Sequence, residues 1–201
     1  MSELRRYTDL PALLYALHER QITLLDPKGW DDANDSYFLE LYAELTNCKT
    51  ILALCFTQTF ETYHHWKVFA HGPSGVCVIF DRTRLLNAVA RAQPDVKARE
   101  VSYKTLKDIK TATPAIEHLP FMKRWAFQHE KEFRLVYAKQ RARKHALNIP
   151  IPVNAIARVV LSPWMHPTIA PQVIRTIKAI RGFRALQIDH SSLIDNAAWK
   201  D

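Results

Sequence analysis

Thr50–Thr57 (TILALCFT) and Gly75–Phe80 (GVCVIF) decide how this chain folds. Both are nearly continuous apolar runs of strand length. Strands of that kind are covered on both faces, so the two runs predict the centre of a buried sheet. Outward toward the N-terminus, Leu4 to Thr8 reads as a short strand and Asp9 as a helix N-cap. Leu10, Leu13, Leu14 and Leu17 then repeat at helical spacing and supply one apolar face. Gln21 to Leu25 is a second strand candidate, Pro27 to Asp35 a polar loop, and Phe38, Leu41, Tyr42 and Leu45 another helical stripe. Beyond the second run, Asp81 or Thr83 can cap a helix that buries Leu85, Leu86 and Val89. Val101 to Tyr103 is a short strand, and the basic stretch Lys104 to Lys123 is expected to turn helical near its end.

Glu130 to Tyr137 (EKEFRLVY) alternates, which predicts a strand with Glu130, Glu132, Arg134 and Val136 on one face. Lys139 to Lys144 (KQRARK) then reads as a basic hairpin loop, with Leu147 to Ile151 as the returning strand. Ala157 to Leu161 and Arg184 to Ile188 are further strands. Between them Ile169, Val173, Ile174, Ile177 and Ile180 form a helical stripe that Gly182 closes as a C-cap. No repeat, low-complexity tract or linker interrupts the order. Strands scattered among helices, with antiparallel hairpins, favour an α+β class and one domain over residues 1–201.

Composition narrows the function. The chain has 201 residues, with no apolar run near the roughly 18 that span a bilayer and a polar start unlike a secretory signal. A cytoplasmic protein without a membrane partner is expected. Cys48, Cys55 and Cys77 show no metal spacing, and Cys55 and Cys77, inside apolar runs, suit small buried hydrophobes in a reducing compartment. Twenty-eight Lys and Arg stand against twenty Asp and Glu, a net charge of +8 that suits a polyanion such as RNA or DNA. Four glycines, at positions 29, 72, 75 and 182, cannot write a Gly-rich phosphate loop. Any nucleotide must be held by another architecture.

Three clusters carry chemistry. Glu130, Glu132 and Arg134 put two carboxylates and a guanidinium together. In a cleft such a pair can hold a sugar hydroxyl and stabilise positive charge at an anomeric carbon; on an open sheet face it is a ladder of ion pairs. Phe56, Thr57, Tyr63 and Trp66 can line a pocket for a flat ring, or simply belong to the core. Arg6, Tyr7 and Thr8 can clamp a pyrophosphate by charge-assisted hydrogen bonds. Asn34 and Asp35 either line the same site or cap the helix that follows, capping being the simpler role. Lys104, Lys107, Arg141, Arg143 and Lys144 are candidates for gripping nucleic-acid phosphates. His64, His65 and His71 lack carboxylate or cysteine partners at ligand spacing, so no metal is expected.

In order along the chain these stretches resemble a family of bacterial proteins of unknown function found in defence islands and prophages. The resemblance rests on Arg6-Tyr7-Thr8, Asn34-Asp35, Cys55-Phe56-Thr57, Trp66, Gly75-Val76-Cys77, Phe80-Asp81, and Trp125 followed by Glu130, Glu132 and Arg134. It covers roughly residues 4 to 190. The chain departs from the pattern at Ser36, where proline is usual, at Phe69 or Ala70, where tyrosine is common, and in the spacing from Trp125 to Glu130. That layout is similar in turn to the ADP-ribosyltransferase superfamily, especially its nucleic-acid-modifying toxins; Glu132-Phe133-Arg134-Leu135-Val136 looks like the superfamily's catalytic strand.

The resemblance implies a split, mostly antiparallel β sandwich flanked by helices, which binds NAD without a Gly-rich loop and consumes it as substrate. It implies that Glu132 is the catalytic carboxylate with Glu130 beside it, the order of the two left open. It implies that Arg6, Tyr7, Thr8, Asn34, Phe56, Thr57, Tyr63, Trp66 and Arg134 contact NAD. A toxin of a toxin–antitoxin or antiphage system, acting on RNA or DNA and met by an antitoxin protein, is the resulting expectation. A metal-dependent nuclease using Asp81, Glu130 and Glu132, and a non-catalytic nucleic-acid-binding module, are the alternatives.

Overall fold

The computed structural model describes residues 3–70, 72–141 and 143–200; His71 lies outside them. The chain opens with β1 (Glu3–Asp9), α1 (Leu10–Glu19), β2 (Gln21–Leu25), α2 (Ala33–Leu45) and β3 (Thr50–Thr57). It continues through α3 (Tyr63–Phe69), β4 (Gly75–Asp81), α4 (Arg82–Ala92), β5 (Lys97–Glu100), β6 (Ser102–Lys104) and α5 (Leu106–Thr111). Then come β7 (Met122–Arg124), β8 (Glu132–Lys139), β9 (Ala146–Pro150), β10 (Ile156–Leu161), α6 (Ala170–Ala179), β11 (Gln187–His190) and α7 (Ala197–Lys200). Short 3-10 turns punctuate them, among them Ile116–Phe121 and Trp125–Glu130. The class is α+β, and most strand pairs are antiparallel, as the scattered strands imply.

The chain divides into two compact units. The first comprises Met1–Gln21, Thr59–Ala88 and Pro150–Asp201. Its strands run in the order β11-β10-β4-β1, with β1 and β4 antiparallel over seven residue pairs and β10 and β11 parallel. Asp9 caps α1 as expected, accepting a 2.8 Å bond from the Ala12 backbone N–H. Leu13 and Leu17 bury its apolar face. A second core cluster gathers Tyr7, Trp66, Ala70, Cys77 and Ile79. Gly75 starts β4 where a side chain has no room: an added Cβ would stand 2.3 Å from the Ala70 carbonyl oxygen. After α6 the cap is Ile180 rather than Gly182, although Gly182 does adopt the left-handed backbone, with φ 100°.

The second unit comprises Ile22–Gln58 and Val89–Ile149. Its strands run β9-β2-β3-β8-β5, with β6 and β7 forming a separate parallel pair. β9 therefore does not return against β8, as a hairpin through Lys139–Lys144 requires; β3 takes that place, antiparallel from Thr50↔Lys139 to Thr57↔Glu132. The apolar run of β3 is buried on both faces, as an interior strand is, whereas β9 alternates buried and exposed residues and suits an edge. On one face of the β3–β8 pair, Ile51, Ala53 and Val136 meet Leu39 and Tyr42 of α2 together with Leu119, Phe121 and Met122. At its far end that face turns from apolar to charged.

Candidate active site

Cross-strand register builds the charged end. Thr57 lies opposite Glu132, and Cys55 opposite Arg134. Glu132 and Arg134 are two residues apart on β8 and project to the same side, as the alternation predicts. Glu130 reaches that side by another route. It is not part of the strand: it ends the 3-10 turn Trp125–Glu130, and Lys131 follows in the left-handed conformation with φ 42°. The Thr57 hydroxyl fixes the joint by donating to the Glu130 carbonyl at 2.5 Å, and the Gln58 N–H donates to the Lys131 carbonyl at 3.0 Å.

Arg134 is the hub. It is fully buried, and each nitrogen of its fork is engaged. Nε donates to Glu132 Oε1 at 2.6 Å, Nη1 to Asp35 Oδ1 at 2.8 Å and to the Pro120 carbonyl at 3.0 Å, and Nη2 to Asp35 Oδ2 at 2.6 Å. The bidentate grip on Asp35 matches a planar guanidinium to a planar carboxylate. Lys123, from β7, closes the network from the other side. Its Nζ lies 2.7 Å from Glu130 Oε2, 3.4 Å from Glu132 Oε2 and 3.8 Å from Asp35 Oδ2. The Tyr103 hydroxyl accepts the Glu132 backbone N–H at 2.8 Å, and the Cys55 thiol hydrogen-bonds the Glu132 carboxylate. The rings of Trp30 and Phe127 lie near the guanidinium and the ammonium, with centroids 5.0 Å and 4.9 Å away.

Three carboxylates and two cations share this buried site, leaving one formal negative charge in excess. The acids accordingly separate in proton affinity. Burial pushes Glu130 above the ordinary carboxylate range against the pull of Lys123, and pushes Asp35 up against Arg134. Burial acts on Glu132 in the same sense, but Arg134 and Lys123 together overcome it and hold that carboxyl at about 2. Burial would likewise lower Lys123, yet Glu132 and Glu130 keep it above its usual value. Burial raises Tyr103 to about 12 and the Cys55 thiol well above an ordinary cysteine, so both keep their protons at neutral pH. The outcome is a carboxylate held ionised beside a second acid whose proton affinity is raised.

Several expected roles change. Arg134 spends its donors on Asp35, Glu132 and Pro120 and so positions these groups inside the protein. Asp35 does not cap α2. Asp32 does, accepting from the Asn34 and Asp35 backbone N–H groups at 3.0 Å and 3.3 Å, which frees Asp35 to turn inward to Arg134. Asn34 is exposed in the first turn of α2, its amide 3.3 Å from Asp32. Phe56 and Thr57 are buried on opposite faces of β3.

In the first unit, Arg6 and Thr8 are half-buried on β1, and Tyr7 points into the core. Tyr7 stacks on His65 at 5.2 Å and meets Trp66 edge-on at 5.0 Å. Trp66 has no exposed surface, and its indole N–H donates to Glu61 at 2.5 Å. It is a core residue rather than an open stacking platform. Tyr63, by contrast, is 56% exposed and meets the Trp164 ring edge-on. In the second unit Lys107, Arg141, Arg143 and Lys144 are exposed and Lys104 is half-buried.

Lys123, Tyr103 and Cys55 escaped the sequence reading as members of the charged site, and Asp35 enters it only as a site-lining or capping candidate. More aspartates between positions 31 and 35 than one cap requires are the trace that Asp35 leaves in the sequence. Lys123 leaves none, because a lysine between Met122 and Arg124 in a basic stretch looks like surface. No protein-family model, curated protein or solved structure matches this chain.

Proposed function

We propose that the chain is an NAD-dependent ADP-ribosyltransferase that modifies an RNA or DNA base and serves as the toxin of a defence or toxin–antitoxin system. The observation that carries the reading is Glu132. It opens a central strand, lies 94% out of solvent, and is held ionised by Arg134 and Lys123. A fixed anion in a low-dielectric site favours an oxocarbenium-like state far more than the same anion in water does. Open-solvent carboxylates would have left no such leverage.

In the reaction the bond from ribose C1′ to the nicotinamide nitrogen breaks, and nicotinamide departs with the electron pair. Glu132 stabilises the positive charge left on the ribose. A nucleophilic atom of the acceptor base then bonds to C1′ and gives up a proton to water. Glu130, whose proton affinity burial raises, is coupled to Glu132 through the shared Lys123. Arg134 and Asp35 are positioning residues. The same grip disfavours the nuclease alternative: Lys123 and Arg134 already engage oxygens of Glu130 and Glu132 that a divalent cation would have to draw on.

The test incubates the protein with NAD labelled on its ADP-ribose portion and a mixture of RNA, DNA and protein, then follows label and released nicotinamide. Label in nucleic acid, a mass gain of one ADP-ribose, and full activity in excess chelator are expected. Glu132→Gln should abolish transfer in a sample whose circular dichroism remains native, whereas Glu130→Gln should retain part of it. Absence of label in every pool, or full transfer by folded Glu132→Gln, rejects the proposal.

A further inference from the structure

The positive charge of this chain is concentrated. Between Phe133 and Ile188 there are ten Lys and Arg and no Asp or Glu, whereas the remaining residues hold eighteen cations against twenty acids. The structure of the first unit gathers part of this surplus in one place. Arg175 and Lys178 stand on successive turns of α6, and Arg181 and Arg184 follow in the turn beyond it. All four are exposed and line an open depression of about 700 Å³ with Ala179, Ile180 and Gly182. Arg20, the exposed left-handed cap of α1, comes from a distant stretch of chain and donates to the Arg181 carbonyl at 3.1 Å. None of the five has an ion-pair partner among the described residues.

Five unpaired cations around one concavity repel one another and weaken the fold slightly, a cost that an anionic ligand reverses. We propose that this depression is a docking surface for the sugar–phosphate backbone of a nucleic acid. The i, i+3 step along α6 and the turn that follows present cations in a row. Arginine predominates, and its fork matches phosphate oxygens. A lipid surface is the poorer fit, because no exposed aromatic or long aliphatic side chain lines the depression to enter a bilayer. An acidic protein is disfavoured for the same lack of an apolar anchor. The proposal takes from the preceding section only the class of partner. Its test needs neither NAD nor Glu132, so the two readings can fail separately.

Anisotropy titrations of the full chain with labelled oligo(U) and oligo(dT), run from about 50 to about 200 mM salt, read the interaction directly. Five phosphate contacts at about 0.7 counterions each give a log–log slope near −3.5, a loss of roughly a hundredfold over that range. The R175Q/K178Q/R181Q/R184Q variant should flatten the slope by about 3 and weaken low-salt binding at least tenfold, with native circular dichroism and a Tm equal to or slightly above that of the parent chain. R141Q/R143Q/K144Q, on the loop of the second unit, should retain most of the affinity. Unchanged binding in the fourfold variant overturns the proposal. So does loss of all binding in the loop variant, or capture by phosphatidylserine vesicles without oligonucleotide binding.

Discussion

Replacing Arg134 by methionine tests the charged site most severely. The side chain is fully buried and donates four hydrogen bonds, three of them to carboxylates. Methionine fills much of the same volume, so packing loss is small and the penalty is electrostatic. Without Arg134, three buried carboxylates face Lys123 alone, and the excess negative charge doubles. Removing one partner of a buried ion pair costs about 3–5 kcal/mol, and the hub position puts this substitution at the upper end of that range. For a chain of this length each kcal/mol moves Tm by about 2–4 °C, so the midpoint should fall by roughly 8–20 °C. Urea unfolding at neutral pH, with m unchanged, measures the same loss.

Arg134→Lys keeps the charge but cannot grip Asp35 in two places and reach Glu132 as well, so it should fall between wild type and methionine. The pair R134M/D35N should be more stable than the sum of its single changes, with a coupling of about 1–3 kcal/mol, because it restores the wild-type charge excess. A loss below about 1 kcal/mol for R134M, or strict additivity in the double variant, would refute the view of Arg134 as the neutralising hub.

The acids should differ in their pH dependence. Glu132 is held at about 2 in the folded chain against an ordinary 4.5, so its contribution is present above pH 4.5 and lost as pH falls toward 2. That displacement corresponds to about 3 kcal/mol, which Glu132→Gln should remove from the acid limb of the stability curve. Glu130 is displaced upward, so its ionisation costs stability as pH rises through its folded value; Glu130→Gln should leave neutral-pH stability intact or improved. Parallel acid limbs in wild type and Glu132→Gln would contradict that assignment. Gly75→Ala should destabilise the first unit by about 1–3 kcal/mol, since the new methyl meets the Ala70 backbone carbonyl; an unchanged melting curve would show that β4 can shift to admit it.

Local periodicity made the strands and helices legible. The buried runs of β3 and β4, the leucine stripe of α1 and the Asp9 cap all express contacts within a few residues, where spacing carries the information. Partner choice was not legible in the same way. Asp35 and Arg134 are 99 positions apart, and nothing in the spacing of either points to the other. The alternation over Glu130–Tyr137 starts two residues before the strand does, because period-2 patterning does not register that Lys131 turns left-handed. The carboxylate pair was therefore found for a reason only half correct. β9 was paired with the wrong neighbour because an alternating strand fits any free edge equally well, and only the completed sheet decides which edge is open.

Lys131 makes the spacing between the two acids a matter of one torsion instead of the pleat. An L-residue pays to occupy that backbone basin, while a D-residue rests in it. Semisynthetic placement of D-lysine at this position would leave both carboxylates and their cations untouched while stiffening the joint between them. The chain thus sets the geometry of its buried acids at a backbone joint that can be rigidified without altering their chemistry.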